Sequence, residues 1–334
     1  MRSRRLQRAI ELTELGLGAA QFGNLRRETT DEEAAATVDA AWVAGIRYFD
    51  TAPHYGLGLS ERRLGAALAT RSRDEYVVST KVGRLLVPNP EGAGKLDDAD
   101  FVVPATLKRA WDFSRDGILR SVDESLERLG LDTLDIVYLH DPDEHWEAAS
   151  TTGIDALIEL RGQGVIGAIG AGMNQSAMIT EFIRRCDVDV MMLAGRYTLI
   201  EQGALDEVLP LAEERGVGIV AAAIYNSGLL SSPQVRPHAL YNYAQAPREV
   251  IERATAIAEV CERHGVTLPE AAVAFPLRHP AVVSVVIGTR TPDQLLSSVE
   301  RYDAEIPEPL WAELAALGLV REPPAAALSG STSA

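Results

Sequence analysis

The chain has 334 residues, 46% of them hydrophobic, enough for a large core. No apolar run approaches the roughly 18 residues that a membrane-spanning helix needs. Lys and Arg number 32 against 48 Asp and Glu, and the resulting net charge of −16 argues against nucleic acid or an anionic membrane as a partner.

The N-terminus, Met1-Arg2-Ser3-Arg4-Arg5, is basic but lacks the apolar stretch of a secretory signal. Residues 13–20 form a short, glycine-rich first strand. Thr30 and Glu33 make a capping box, after which Ala34, Val38 and Ala41 share one helical face. Residues 46–50 form an apolar and aromatic strand ending in the carboxylate of Asp50. Pro53, Gly56 and Gly58 then turn the chain, and Ser60 is placed to cap a helix whose buried stripe starts at Leu64. Residues 76–81 form a β-branched strand ending in Lys81, followed by a long loop over 87–104. Ile118, Val122, Leu126 and Leu129 keep helical spacing, so 116–130 is a helix stopped by Gly130.

Residues 134–140 form a strand ending in His140. A helix over 154–161 leads to a strand over 165–172, and Asn174 is placed to cap the helix after it. The two cysteines, Cys186 and Cys261, have no partner spacing and read as buried thiols of a reducing, cytoplasmic compartment. Strands over 188–194, 218–223 and 282–287 complete the series. The last helix starts at Thr291-Pro292-Asp293-Gln294, a capping box with proline at its first position. Eight short strands, each followed by helix-like sequence, predict an α/β fold with parallel pairing, a closed (β/α)8 TIM barrel in one domain over 1–322. Residues 323–334, rich in Pro, Ala, Ser, Gly and Thr, read as a disordered tail.

In such a barrel the C-terminal ends of the strands share one rim, where active sites are built. Asp50, Lys81 and His140 stand at three of those ends, and Tyr55 lies in the loop just beyond one. Singly, each has a structural explanation: a turn former, a solvated lysine, a loop tyrosine, a core histidine. Together their chemistry is coherent. A free phenol titrates near 10, too high for ready proton exchange at neutral pH. An ammonium beside it stabilises the phenolate, and a carboxylate holds the ammonium. Tyr55 is then the proton donor or acceptor, Lys81 its tuner and Asp50 the anchor, with His140 orienting the substrate oxygen. That set suits proton transfer at a carbonyl or alcohol oxygen paired with hydride transfer at its carbon.

A hydride needs a carrier. The run Ile287-Gly288-Thr289-Arg290-Thr291-Pro292 joins the last strand, a small-residue turn, an arginine and a helix start, the best anion site in an acidic chain. Two rivals are weaker. Gly170-Ala171-Gly172 follows a strand, but Gln175 stands where the dinucleotide fingerprint needs its third glycine. His140 to His145 is metal-like in composition, but Pro142 interrupts it and no recognised ligand spacing is present, so no metal is expected.

The motifs Phe49-Asp50-Thr51-Ala52 through Gly65, Ser79-Thr80-Lys81 and Leu139-His140 resemble the signatures of the aldo-keto reductase superfamily, and the likeness runs over residues 15–319. The resemblance implies a barrel that binds nicotinamide cofactor without a Rossmann domain. It implies a catalytic tetrad of Asp50, Tyr55, Lys81 and His140. It also implies cofactor contacts from Asp50, Asn174, the Asn226-Ser227-Gly228-Leu229 loop, and Ile287, Gly288, Thr289, Arg290, Gln294 and Ser298. Trp111 to Gly117, His140 to Asp143, Ala194 to Thr198 and Tyr225 to Leu230 narrow the resemblance. They look like the bacterial sugar dehydrogenases, a group that includes D-threo-aldose 1-dehydrogenases (L-fucose dehydrogenases) and pyridoxal 4-dehydrogenase. This subgroup implies oxidation of the anomeric hydroxyl of an aldose to a lactone, with His54 and Trp111 joining Tyr55 and His140 as substrate contacts. Many NADPH-dependent reductases of the superfamily carry glutamine where Ala194 stands, lysine where Gly288 stands and asparagine where Ser298 stands. Of these departures, the missing lysine favours NAD over NADP, although Arg290 is placed to replace it. The alternatives are an NADPH-dependent aldehyde or ketone reductase, a pyridoxal 4-dehydrogenase and a cofactor-binding regulatory subunit; the oligomeric state stays open.

Overall fold

A computed structural model describes residues 1–242 and 244–321; the tail expected over 323–334 lies outside the described residues. Eight parallel strands close into a barrel. They are β1 (Leu15–Gly18), β2 (Tyr48–Asp50), β3 (Val77–Val82), β4 (Leu134–His140), β5 (Ile166–Met173), β6 (Val190–Ala194), β7 (Gly218–Ala222) and β8 (Val282–Gly288). Each pairs with the next in sequence, and β8 pairs with β1 to close the ring. The helices pack outside, among them α1 (Asp31–Val43), α2 (Leu59–Leu68) and α3 (Arg115–Leu129). Both faces of the sheet are therefore covered, which is why the strands read as near-continuous apolar runs.

Alternation along each strand divides the core into two layers. Tyr48, Ile136, Tyr138, Val190 and Val220 point into the barrel, whereas Phe49, Val78, Val137 and Leu193 pack outward under the helices. The register fixes the upper rim: Asp50 aligns with Gly18 and with Ser79, Lys81 with Tyr138, and His140 with Gly172.

The structure departs from the sequence reading in several places. An N-terminal hairpin pairs Ser3–Arg5 with Glu11–Thr13 and sends Leu6 and Leu12 into the barrel floor. The long loop is in part a second hairpin, Arg84–Pro88 with Leu107–Trp111, whose connection folds back so that Phe101 bridges to Leu25. Ser60 does not cap α2; Gly58 does, and the Ser60 hydroxyl instead donates to the Ala19 carbonyl at 2.6 Å. Asn174 is likewise one residue too early, since Gln175 precedes the helix Ser176–Arg185. Two further helices, Leu268–Ala274 and Glu308–Ala316, flank the one that starts at Pro292.

The capping box at Thr291 is half formed. The Thr291 hydroxyl accepts from the Gln294 amide at 3.4 Å, but the Gln294 side chain reaches past it to the Arg290 amide at 3.0 Å.

Candidate active site

Asp50, Lys81 and His140 end or nearly end adjacent strands, so the barrel brings them to one mouth. The Lys81 ammonium donates to both Asp50 carboxylate oxygens, at 2.9 and 2.7 Å, and to the Thr51 carbonyl at 2.9 Å. All three donors of the cation are thus used, as a buried charge requires. The Ser79 hydroxyl donates to Asp50 at 2.7 Å and is itself 3.0 Å from the Tyr48 hydroxyl, which continues to Tyr138 at 3.3 Å. Burial works against the Lys81 charge, but the carboxylate outweighs it and holds the amine above its ordinary value.

Tyr55 enters from the loop between β2 and α2. Gly56 sits in the left-handed region at φ +62°, and a Cβ there would meet the Gly23 carbonyl oxygen at 2.3 Å. Only glycine lets this loop press against the turn Ala20–Gly23, and that contact seats the Tyr55 ring 4.8 Å from the Lys81 ammonium. The His140 ring stands edge-on to Tyr55 with centroids 5.9 Å apart. Burial pushes the phenol up and the Lys81 charge pulls it only part of the way back, so Tyr55 stays above its ordinary value rather than below it as the sequence suggests. His140 is held well below its ordinary value by burial and by the charges of Arg84 and Lys81, so the ring is a neutral imidazole. All four groups expected from the sequence therefore converge. A phenol between an ammonium and a neutral imidazole can exchange a proton with a hydroxyl or carbonyl oxygen placed among them.

His54, pushed down to about 2 by burial and by Arg109 and Arg84, packs 5.5 Å from His140. Trp111 is 46% exposed on the rim, stacked on Phe113 and 4.9 Å from His145. That aromatic contact is where the metal-like stretch places its second histidine. Three charged residues at this mouth escaped the sequence reading: Arg84, Arg109 and Asp141. Arg109 donates to the His54 carbonyl at 2.8 Å and pairs with Asp97. Their signal was adjacency, since Asp141 follows His140 and Arg84 lies three residues past Lys81.

The residues expected to hold a cofactor lie along the ends of β5 to β8. Asn174 is exposed just past β5. Asn226 and Ser227 are both left-handed, at φ +44° and +59°, and Gly228 follows at +92°. Leu229 is buried beneath them. Ile287 is buried and Gly288 exposed at the end of β8; a Cβ at Gly288 would meet the Gln21 side-chain oxygen at 2.8 Å. Three buried oxygens, Gln21 Oε1, Asn226 Oδ1 and Thr289 Oγ1, have no hydrogen-bond partner among the described residues. An arc of orphaned acceptors and donors above a glycine fits a polar ligand.

Arg290 does not meet the expectation of a free phosphate contact. Its guanidinium turns inward and donates to the Leu25 carbonyl at 2.6 Å, the Arg27 carbonyl at 3.0 Å and the Thr29 hydroxyl. Ser298 is buried and donates to the Gln294 carbonyl at 2.9 Å, while Gln294 is exposed.

A sequence model of the Aldo/keto reductase family matches residues 14–318. A D-threo-aldose 1-dehydrogenase from a Pseudomonas species is 51% identical over 317 residues, covering 94% of this chain and 96% of that protein. Pyridoxal 4-dehydrogenase from Microbacterium luteolum is 37% identical, with 93% and 95% covered. Among solved structures, the holo form of the aldo-keto reductase AKR11C1 from Bacillus halodurans superimposes with a TM-score of 0.75 at 25% identity, covering 96% of this chain and 97% of that one.

Proposed function

The chain belongs to the aldo/keto reductase family of NAD(P)-dependent oxidoreductases, and from that premise we propose that it oxidises the anomeric hydroxyl of an aldose to a lactone. The observation that carries the chemistry is the Lys81 ammonium, clamped by Asp50 and facing the Tyr55 ring, with the neutral His140 on the other side. Similarity to the D-threo-aldose 1-dehydrogenase supports the substrate class.

A nicotinamide dinucleotide held by Asn174, Asn226, Thr289 and the loop past β8 supplies, when bound, a hydride acceptor at the anomeric carbon. The residues of the chain handle the proton and the oxygen. Tyr55, as phenolate, takes the proton from the anomeric hydroxyl as the carbon–oxygen bond becomes a carbonyl. Lys81 stabilises the phenolate, and Asp50 keeps Lys81 charged and in place. His140 donates a hydrogen bond to the same oxygen, which a neutral ring can do while adding no charge to the mouth. In the reverse direction Tyr55 returns the proton to a carbonyl oxygen.

NAD is the favoured cofactor in this reading, because Arg290 is tied to carbonyls and no lysine stands at Gly288 to meet a 2′-phosphate. Two free thiols are consistent with work in the cytoplasm. Among the described residues no helix is long and apolar enough to cross a membrane.

The test is cofactor reduction followed by absorbance with NAD and NADP against L-fucose and other aldoses, pyridoxal and simple alcohols. Higher kcat/KM for an aldose with NAD than for any other pair is expected. Faster pyridoxal oxidation would favour the second relative's reaction, and faster aldehyde reduction with NADPH would overturn the aldose reading.

A further inference from the structure

Arg84 and Asp141 wall the mouth beside His140, and neither belongs to the Asp50–Lys81–Tyr55–His140 set. Arg84 opens the second hairpin directly across from Trp111, and its guanidinium lies 4.4 Å over the indole. One nitrogen donates to the Asp141 carboxylate at 2.5 Å and another stands 3.4 Å from His54 Nδ1. Its Nε is buried with no acceptor among the described residues. The same Asp141 oxygen is 3.6 Å from His140 Nε2.

Asp141 is itself held at φ +42°, with its amide donating to the Gly172 carbonyl at 2.9 Å. A non-glycine residue keeps that conformation only where its surroundings impose it, and such residues cluster at functional sites. The result is a carboxylate that is 42% exposed toward the mouth, paired with a guanidinium that is only 14% exposed. The pair sets an acceptor next to a fixed fork of donors.

Adjacent hydroxyls on a sugar ring each offer a donor and an acceptor, and a planar guanidinium beside a carboxylate matches two of them at once. We propose that Arg84 and Asp141 are the specificity residues of this site, binding two neighbouring hydroxyls of a polyhydroxylated ring whose reacting oxygen lies between Tyr55 and His140. The proposal rests on the aldose reading and names what selects the aldose. Trp111 then acts by fixing the guanidinium plane, with its exposed edge at the rim.

The experiment compares L-fucose with 2-hydroxytetrahydropyran, a cyclic hemiacetal that undergoes the same oxidation but carries no other hydroxyl. In Arg84→Met and Asp141→Asn the ratio of kcat/KM for L-fucose to that for 2-hydroxytetrahydropyran should fall at least tenfold, mostly through KM. Arg84→Lys, which keeps the charge but loses the fork, should show an intermediate fall. An unchanged ratio, with both substrates slowed alike, would mean that the pair acts only on His140 and would overturn the proposal. Asp141→Asn preserves side-chain volume and carries the test if Arg84→Met does not fold, which cofactor binding reports. Wild-type protein inert toward every aldose while oxidising the hemiacetal would sink the aldose reading itself. That outcome is seen before any variant is made.

Discussion

Tyr55 depends on neighbours that come from three different strands. The nearest charge, Lys81, is fully buried and hydrogen-bonded to Asp50 and Thr51, so it cannot swing away as the phenol changes state. Tyr55→Phe removes the exchangeable proton and little else. Its kcat should fall by about 10²–10⁴-fold, while cofactor binding, read by fluorescence quenching, survives. The pH dependence follows from the same surroundings. Tyr55 is raised above its ordinary value by burial, so the phenolate needed for oxidation grows as pH rises. Oxidation should therefore accelerate from neutral into alkaline pH, whereas reduction, which needs the phenol, should hold level until pH approaches the raised value. His140 is held well below 6.5 and stays neutral throughout. A pH–rate profile with an inflection near 6.5 that His140→Gln removes would contradict this assignment.

At the scale of elements, the loop after β2 and the hairpin after β3 decide what the mouth can hold. Gly56→Ala forces a Cβ against the Gly23 carbonyl in a backbone region that alanine disfavours. The variant should melt lower by roughly 1–3 kcal/mol of stability and lose kcat by displacing Tyr55, measured by thermal denaturation and steady-state kinetics. The strands were legible because burial on both faces makes each one a continuous apolar run, and three of their C-terminal ends were legible because a polar residue stands at or beside the stop. Asp50, Lys81 and His140 stood out for that reason. The two hairpins were not legible. Ser3–Arg5 alternates exposure with charge rather than with apolar residues, and Arg84–Pro88 finds its partner only across an intervening connection. The inward turn of Arg290 was not legible for a related cause: a guanidinium that becomes buried must satisfy its donors with whatever carbonyls the fold supplies, here those of Leu25 and Arg27.

For the whole molecule, three histidines held below their ordinary value couple folding to pH. His54 is pushed down to about 2, His279 to about 4, and His140 well below 6.5, each chiefly by burial. Below 6.5 the unfolded chain binds protons that the native one refuses, so stability is fully present above that pH and is lost as pH falls. Each histidine contributes a slope of about 1.4 kcal/mol per pH unit. Thermal melts between pH 6.5 and 4.5 should show a steep decline, and His279→Gln, on the barrel floor, should flatten it by one proton's worth. An unaltered slope in that variant would remove His279 from the account.

Ring closure has a consequence for synthesis. Strand β1 leaves the ribosome before the other seven barrel strands, yet the partner on its free side, β8, leaves after all of them. Until Val282–Gly288 has emerged, the nascent sheet carries two bare edges of apolar strand, the kind of surface that chaperones hold and that aggregates form from. Polypeptides cut short before residue 282 should collect in inclusion bodies, whereas those that include β8 close the ring.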